Sequence, residues 1–325
     1  MEERIVIVTD TVFPNLDKTR EILSPATTLK VLEDSKAQSI LEATGDADAV
    51  LVTYARITGE MIRHMKRCRI IARYGIGVDN VDVEVATQSG IIVTNVPDYC
   101  IEEVSDHTIS LLLALGRKLI SANAHVHDGL WEMSSVVPIR RLRGSVIGLI
   151  GFGRIARQVA CKLQAFGMKV VAYDPYVPQE VLRRADVQGM NFEDLLSAAD
   201  YISIHVPLGP STSHIFNDVA FRRMKNTAYI INTARGGIID EGALVKALDA
   251  REIAGAALDV LEIEPPFGSP LLGREDVILT PHTSFYSEES LLELQTKVAE
   301  EVVRVLNGYL PRNPVNPEVI RRRLD

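Results

Sequence analysis

Short runs of β-branched and other apolar residues alternate with longer amphipathic stretches along nearly the whole chain. Strands that alternate with helices form parallel sheets with helices on both faces. The pattern therefore predicts an α/β protein with two doubly wound parallel-sheet domains. The predicted strands form two series, the first at 5–8, 49–52, 69–72 and 91–94, the second at 146–150, 170–173, 201–205, 228–232, 256–260 and 277–279.

Two long helical runs determine the predicted domain order. One covers about 101–119, between the two series of strands, and the other covers about 288–306, after the last strand. We expect the second run to return to the first domain, which makes that domain discontinuous in sequence. The predicted domains are 1–103 with 294–325, and an inserted domain at 104–293 whose six strands match the number in a dinucleotide-binding sheet.

Charge and cysteine content narrow the possible partners. The 325 residues carry a formal net charge of −8, which favours neither nucleic acid nor an anionic membrane as a partner. The three cysteines lack the spacing of a disulfide framework or a zinc site, so we expect no metal. Of Cys68, Cys100 and Cys161, only Cys100 is expected to be partly exposed. The first residues lack the pattern of a secretory leader, and we expect a cytoplasmic protein.

The segment 146–156 has the features of a phosphate-binding turn. A predicted strand leads into Gly151 and Gly153, and a helical pattern with Ala156 in its first turn follows. Gly151 permits a tight turn, Gly153 permits close approach of a pyrophosphate, and Ala156 permits close packing of the helix on the strand. The N–H groups of Arg154 and Ile155 would then point at the phosphates.

The strand after this turn ends in an acidic residue. Asp174 lies about 20 residues beyond the turn, where a carboxylate binds the ribose hydroxyls of a dinucleotide. Pro175 and Tyr176 follow, with no adjacent arginine to neutralise a 2′-phosphate, so the sequence favours NAD over NADP. The alternative is a glycine turn that binds nothing.

Three polar residues follow three strands of the second series. Arg235, Glu264 and His282 come after the strands that end near 232, 260 and 279, and carboxyl ends of parallel strands form the ligand-binding edge of such sheets. Carbonyl reduction needs a proton donor and a fixed cation, for which a histidine with a carboxylate partner and an arginine are suited. Taken one at a time, Arg235 could form a salt bridge at a domain interface, Glu264 could be a loop acid and His282 could be a capping residue. Their common placement favours a role in catalysis.

These motifs, in this order, resemble the D-isomer-specific 2-hydroxyacid dehydrogenases. The resemblance covers about 50–308. Its carriers are ARYGIGVDNVD at 72–82, NVPDYCIEEVSDHT at 95–108, GLIGFGRIA at 148–156, HVPL at 205–208, NTARGGIIDE at 232–241, LDVLEIEPP at 258–266 and TPHTSFYS at 280–287.

The resemblance implies a mechanism and a set of contacts. His282 would be the acid/base, Glu264 its partner and Arg235 the cation that binds the substrate. The implied contacts with the cofactor, besides Arg235 and His282, are Ile76, Thr108, Gly151, Gly153, Arg154, Ile155, Asp174, Pro207, Thr212, Thr233, Ala234 and Asp259. The implied contacts with the substrate, besides Arg235 and His282, are Tyr74, Gly75, Ile76, Gly77 and Phe285.

The resemblance also implies an architecture and a reaction. A Rossmann NAD-binding domain would be inserted into a smaller flavodoxin-like substrate domain, with the site in the cleft between them. Members are usually homodimers with the long helix after residue 101 at the interface, and Trp131, just beyond that helix, is expected to anchor an interface or a core. The predicted function is reduction of a small 2-keto acid to the D-2-hydroxy acid with NADH, or the reverse.

Within the family, the segments NVPDYCIEEVSDHT and FYSEES are most similar to the C-terminal binding protein branch. Phe285 stands where that branch has a tryptophan that contacts the keto acid. Two alternatives remain: a regulator that senses NAD(H) and binds partner proteins, and a D-3-phosphoglycerate dehydrogenase. Against the latter, Thr53 stands where those enzymes carry a phosphate-binding arginine, and Arg56 is the nearest substitute.

Overall fold

The computed structural model describes residues 3–23 and 27–324, with the side chains of 322–324 excluded. The chain divides into two compact units, one of Met1–Tyr99 and Ser287–Asp325 and one of Cys100–Tyr286. Both breaks lie at the starts of long helices, a few residues before the predicted boundaries at 103 and 293. The α/β class with two parallel sheets is confirmed.

The first part of the small unit is a five-stranded parallel sheet of order β2-β1-β3-β4-β5, the strand order of flavodoxin-like folds. Its strands β3 and β4 are buried at every position, as expected for a parallel sheet covered on both faces. The strands are β1 (Arg4–Val8), β2 (Thr27–Val31), β3 (Ala49–Val52), β4 (Ile70–Arg73) and β5 (Ile92–Thr94), and the helices are α1 (Asp17–Ile22), α2 (Ala37–Thr44), α3 (Gly59–His64) and α4 (Val83–Gln88).

The large unit contains a seven-stranded parallel sheet of order β12-β11-β10-β9-β6-β7-β8, which is the Rossmann order with one further strand. Two apolar clusters, one on each face, fix the sheet between its helices. The strands are β6 (Val146–Ile150), β7 (Lys169–Tyr173), β8 (Gln188–Gly189), β9 (Tyr201–Ile204), β10 (Tyr229–Asn232), β11 (Gly255–Leu258) and β12 (Val277–Leu279). The helices are α5 (Ile101–Gly116), α6 (Leu119–His127), α7 (Arg154–Ala165), α8 (Gln179–Arg184), α9 (Phe192–Ala198), α10 (Asp218–Arg223) and α11 (Glu241–Asp249), with 3-10 turns at Met133–Val136 and Gly236–Ile238.

The chain returns to the small unit through α12 (Glu288–Leu306), and α13 (Glu318–Leu324) follows. Ser287 caps α12 through a reciprocal pair of hydrogen bonds with Ser290, which stabilises the helix start. The segment after α12 is anchored by Asn316, whose side chain accepts the N–H of Val93 and donates to the carbonyl of Ile91. The prediction of a helix at 288–306 matches α12.

The structure differs from the sequence predictions in four local features. The pattern missed β2 because this edge strand is half-exposed and lacks a continuous apolar run, and it missed β8 because that strand has two residues. The helix predicted at 101–119 ends at Gly116, since Lys118 takes a left-handed φ of 51° before α6 begins. Cys100 is only 2% exposed, whereas Cys161 on α7 is the exposed thiol. Among the residues described, no helix has the length and apolarity needed to cross a membrane.

Candidate active site

The turn after β6 contains the two glycines of the predicted phosphate-binding motif. Gly151 has φ +91°, and a Cβ there would lie 2.7 Å from the carbonyl oxygen of His205, so only glycine fits. Gly153 is different: a Cβ there would meet nothing within 4 Å, so its missing side chain leaves space for a ligand above the start of α7. Ala156 is fully buried against the sheet, as the motif requires.

Asp174, directly after β7, lies beside this turn. One carboxylate oxygen accepts the N–H of Phe152 at 2.8 Å, and the other accepts the N–H of Tyr176 at 2.9 Å. Each oxygen keeps a further lone pair, which is what a ribose diol needs. The turn and the acid together fit NAD, and the residues here repel a 2′-phosphate.

The other predicted cofactor residues of the large unit lie on α5, at the start of α7 and in the loops after β9, β10, β11 and β12. Thr212 closes the loop after β9 by donating to the carbonyl of Pro207 at 2.6 Å. Thr108 on α5 and Thr233 after β10 are buried, with their hydroxyl oxygens 3.0 Å apart. The N–H of Ala234 is held by the Asn232 side chain at 2.9 Å.

His282 and Glu264 form a direct pair. Nδ1 of His282 lies 2.8 Å from Oε2 of Glu264, whose other oxygen accepts the N–H of Leu261 at 2.9 Å. Burial disfavours the Glu264 carboxylate, but the hydrogen bonds from His282 and Leu261 and the charges of His282 and Arg235 outweigh it, so the pKa of Glu264 is lowered. An ionised Glu264 can only accept, so Nδ1 carries the proton and Nε2 is left to exchange a proton with a substrate.

Arg235 follows β10, and its guanidinium charge acts on Glu264. Its backbone is held by the Asn232 side chain, which donates to the Arg235 carbonyl at 2.9 Å. The next residue, Gly236, packs so closely on the 261 turn that a Cβ would lie 1.9 Å from the carbonyl carbon of Leu261. The Arg235 and Glu264 segments are therefore held against each other, which brings the predicted arginine, glutamate and histidine together.

The large unit carries the sequence and fold of a known family. Residues 109–284 match the model for the D-isomer specific 2-hydroxyacid dehydrogenase, NAD binding domain. The chain belongs to the D-isomer specific 2-hydroxyacid dehydrogenase family. NAD is the cofactor for which this domain is built.

The relatives of this chain bear the names of enzymes that act on different substrates. A D-3-phosphoglycerate dehydrogenase from Methanocaldococcus jannaschii is 40% identical over 98% of this chain and 61% of its own length, so the chain spans about three fifths of that relative. A glyoxylate reductase from Korarchaeum cryptofilum is 38% identical over 87% of each chain. A D-lactate dehydrogenase from Aquifex aeolicus, solved with NAD and lactic acid, superposes with a TM-score of 0.88 at 29% identity, covering 96% of this chain and 99% of that one. These relatives do not support the predicted similarity to the C-terminal binding protein branch.

In the small unit, this family member presents the predicted substrate loop after β4. The Tyr74 side chain is buried and its hydroxyl lies 3.1 Å from Oγ1 of Thr19, so this side chain is not accessible to a ligand. Gly75 has φ +145° and donates its N–H to the carbonyl of Arg73, while the Asn95 side chain holds the Ile76 carbonyl at 2.6 Å. Ile76 and Gly77 are half-buried.

The loop after β3 is closed by a carboxylate. Asp10 accepts the N–H groups of Thr53, Tyr54 and Ala55 at 3.0, 2.5 and 3.1 Å. Arg56 is exposed beyond them. The backbone donors of this loop are thus already bound to an anion of the chain itself.

Sequence reasoning missed three polar residues around the His282–Glu264 pair. Glu241 accepts the N–H of Glu262 at 2.6 Å, and burial together with the charges of Glu262 and Glu264 raises the pKa of Glu241. His107 and Thr280 adjoin Asp259, with Nε2 of His107 3.1 Å from the Thr280 hydroxyl oxygen. Both lie inside motifs that carried the resemblance, but nothing in their spacing shows that α5 and the loop after β12 meet.

Proposed function

We propose that the protein reduces a small 2-keto acid to the D-2-hydroxy acid with NADH, or catalyses the reverse. The observation that carries the proposal is the His282–Glu264 pair at 2.8 Å, with the charge of Arg235 acting on it, in the unit that holds the dinucleotide-binding turn. A binding module needs none of these three side chains, whereas carbonyl reduction uses each of them.

His282 handles the proton. NADH would be held by the turn at Gly151–Gly153 and by Asp174, and when bound it would supply the hydride for C2 of the keto acid. His282 donates the Nε2 proton to the carbonyl oxygen, and the ionised Glu264 stabilises the charged imidazole before that donation. Arg235 binds the substrate carboxylate and polarises the carbonyl. One hydride from bound NADH and one proton from His282 would together reduce the keto acid, with NAD⁺ as the other product.

The substrate's other contacts follow from the resemblance. We propose that the backbone N–H groups of Ile76 and Gly77 bind the substrate carboxylate, since Gly75 donates its own N–H to the carbonyl of Arg73. Phe285 is half-buried, its ring centroid 6.3 Å from that of His282 in an edge-on arrangement, and we propose that it borders the substrate side chain. An aromatic ring there suits an apolar side chain.

D-3-phosphoglycerate dehydrogenase is the second candidate function, and the relatives that bear this name favour it. The loop after β3 argues against it, because Asp10 occupies the backbone donors of Thr53, Tyr54 and Ala55 and adds negative charge. Arg56 would have to bind the phosphate alone. An unphosphorylated keto acid is therefore the preferred substrate class.

A regulator that senses NAD(H) is the third candidate. The complete set of Arg235, Glu264 and His282 favours an enzyme, since a sensor has no use for an acid/base pair. We also propose a homodimer, supported by apolar side chains exposed around α6.

The test is an NADH oxidation assay with the purified protein and a panel of keto acids: glyoxylate, pyruvate, hydroxypyruvate, phenylpyruvate, a methylthio keto acid and 3-phosphohydroxypyruvate. We expect turnover with an unphosphorylated member, and His282→Ala should lower kcat by about 10²- to 10⁴-fold while the protein remains folded. Preference for 3-phosphohydroxypyruvate would establish the second candidate. NADH binding without turnover of any member would establish the third.

A further inference from the structure

The catalytic histidine has an unusual backbone conformation. His282 has φ +54°, in the left-handed region that side chains other than glycine rarely adopt. Such a conformation costs free energy and persists only where surrounding contacts hold it. The structure must therefore contain a device that fixes the 280–284 loop.

Asp259, directly after β11, holds this loop on both sides of His282. Its carboxylate is only 1% exposed and accepts the N–H of Thr283 on Oδ1 and the N–H of Ser284 on Oδ2, both at 2.9 Å. The carbonyl of Asp259 accepts the N–H of His282 itself at 2.8 Å. Three successive N–H groups of the loop are thus bound to one residue.

A hydrogen-bonded chain reaches this carboxylate from α5. The hydroxyl of Thr280 donates to Oδ1 of Asp259 at 2.6 Å, which uses its single hydrogen. The Thr280 oxygen can then only accept, so Nε2 of His107, 3.1 Å away, donates to it. The same nitrogen lies 3.7 Å from Oδ1 of Asp259.

We propose that His107 and Thr280 are positioning residues for the catalytic step, acting through Asp259 on the 280–284 loop and so on His282. This inference rests on the proposed function, in which His282 exchanges the proton. The buried carboxylate has to be saturated with donors to keep one orientation. The Thr280 hydroxyl supplies one of those donors, and His107 fixes the direction of that hydroxyl.

The experiment compares Thr280→Val, which keeps the shape and removes the hydroxyl, with Thr280→Ser, which restores it. His107→Phe removes the donor at the other end of the chain. Thr296→Val on α12 is the matched control, because its hydroxyl bonds the carbonyl of Leu292 in its own helix. Asp259 is left intact because it is itself a predicted cofactor contact. The readouts are kcat, KM for the keto acid, the NADH dissociation constant and Tm.

We expect Thr280→Val to lower kcat by about 10- to 100-fold, since a small displacement of a catalytic group has effects of this size. NADH affinity and Tm should stay near those of Thr296→Val, Thr280→Ser should recover most of kcat, and His107→Phe should lower kcat in the same direction. The inference is wrong if Thr280→Val turns over like the control, or if the serine variant recovers nothing.

Failure of the proposed function can be told apart from failure of this inference. If the wild-type protein turns over no keto acid, the readout becomes the ring signals of His282 in ¹⁵N-histidine-labelled protein, assigned by their loss in His282→Gln. Thr280→Val should shift those signals and Thr296→Val should not. Unshifted signals in Thr280→Val would overturn the inference whatever the protein catalyses.

Discussion

Among the individual residues, Glu264 determines the charge of its pair with His282. Its folded-state pKa is lowered: burial raises it, and the hydrogen bonds and charges of His282, Leu261 and Arg235 lower it by more. Because this pKa is lowered, the contribution of Glu264 to folding stability is fully present above its pKa in the unfolded chain, which is about 4.3. That contribution is lost as the pH falls through the lower pKa of the folded state. Glu264 should therefore stay ionised across the working range of the enzyme.

The matching prediction concerns Glu264→Gln, which keeps the shape and removes the charge. At neutral pH we expect kcat to fall by about 10-fold or more, because the charged form of His282 loses its partner. The difference in unfolding free energy between wild type and variant should be present above about pH 4.3 and should shrink below it. Urea unfolding at several pH values measures this, and a difference that grows as the pH falls would contradict the assignment.

The members of the proposed catalytic set could be predicted from the sequence because each of them follows a strand of the same parallel sheet. Arg235, Glu264 and His282 were placed by that rule, and the geometry of Glu264 and His282 agrees with it. His107 and Glu241 could not be found in this way. Their roles depend on contacts between a helix and a loop, or a helix and a turn, that are far apart in the chain and leave no periodic pattern.

The two glycines after β6 have different roles at the scale of the element. Gly151 shapes the turn, since its φ is +91° and a Cβ would press on the carbonyl of His205. Gly153 has open space around its Cβ position, so a methyl group there costs the fold little but intrudes on the phosphates. Alanine substitutions at the two positions should therefore distinguish an effect on folding, at Gly151, from an effect on cofactor binding, at Gly153.

We expect Gly153→Ala to raise the NADH dissociation constant by about 10-fold or more, or roughly 1.4 kcal/mol, with Tm unchanged. Gly151→Ala should lower Tm as well as NADH affinity, because the left-handed turn is strained by a side chain. Fluorescence titration with NADH and thermal unfolding of both variants provide the comparison. Equal loss of Tm in the two variants would show that Gly153 is also needed to shape the turn.

Strands can be predicted from the sequence where burial produces an apolar run. They cannot be predicted where burial leaves no such pattern. The interior strands β3, β4, β9 and β11 are buried throughout and were recognised as apolar runs. The edge strand β2 has no fully buried residue, so its sequence carries little signal. The break between α5 and α6 depends on one left-handed residue, Lys118, inside a continuous helical pattern.

A patch of exposed apolar side chains is the feature that matters most at the scale of the whole molecule. It consists of side chains from α6 and the segment after it: Leu119, Ile120, Val126, Leu130, Trp131 and Met133. Trp131 is 86% exposed and Met133 81%, and side chains of the patch line a cavity of about 210 Å³. Exposed apolar surface of this kind is typical of a site that binds another protein. Helical periodicity could not distinguish these residues from core residues.

We therefore expect a homodimer in solution that uses this patch, as proposed above. Trp131→Glu combined with Met133→Glu should give a monomer, because each subunit would bury two carboxylates in an apolar contact. Phe267→Glu is the matched control, since Phe267 is 90% exposed and lies outside the patch. Light scattering coupled to size exclusion gives the masses. A wild-type monomer, or a dimer that survives both glutamates, would show that the patch has another partner, and dissociation by the Phe267 variant would place the interface elsewhere.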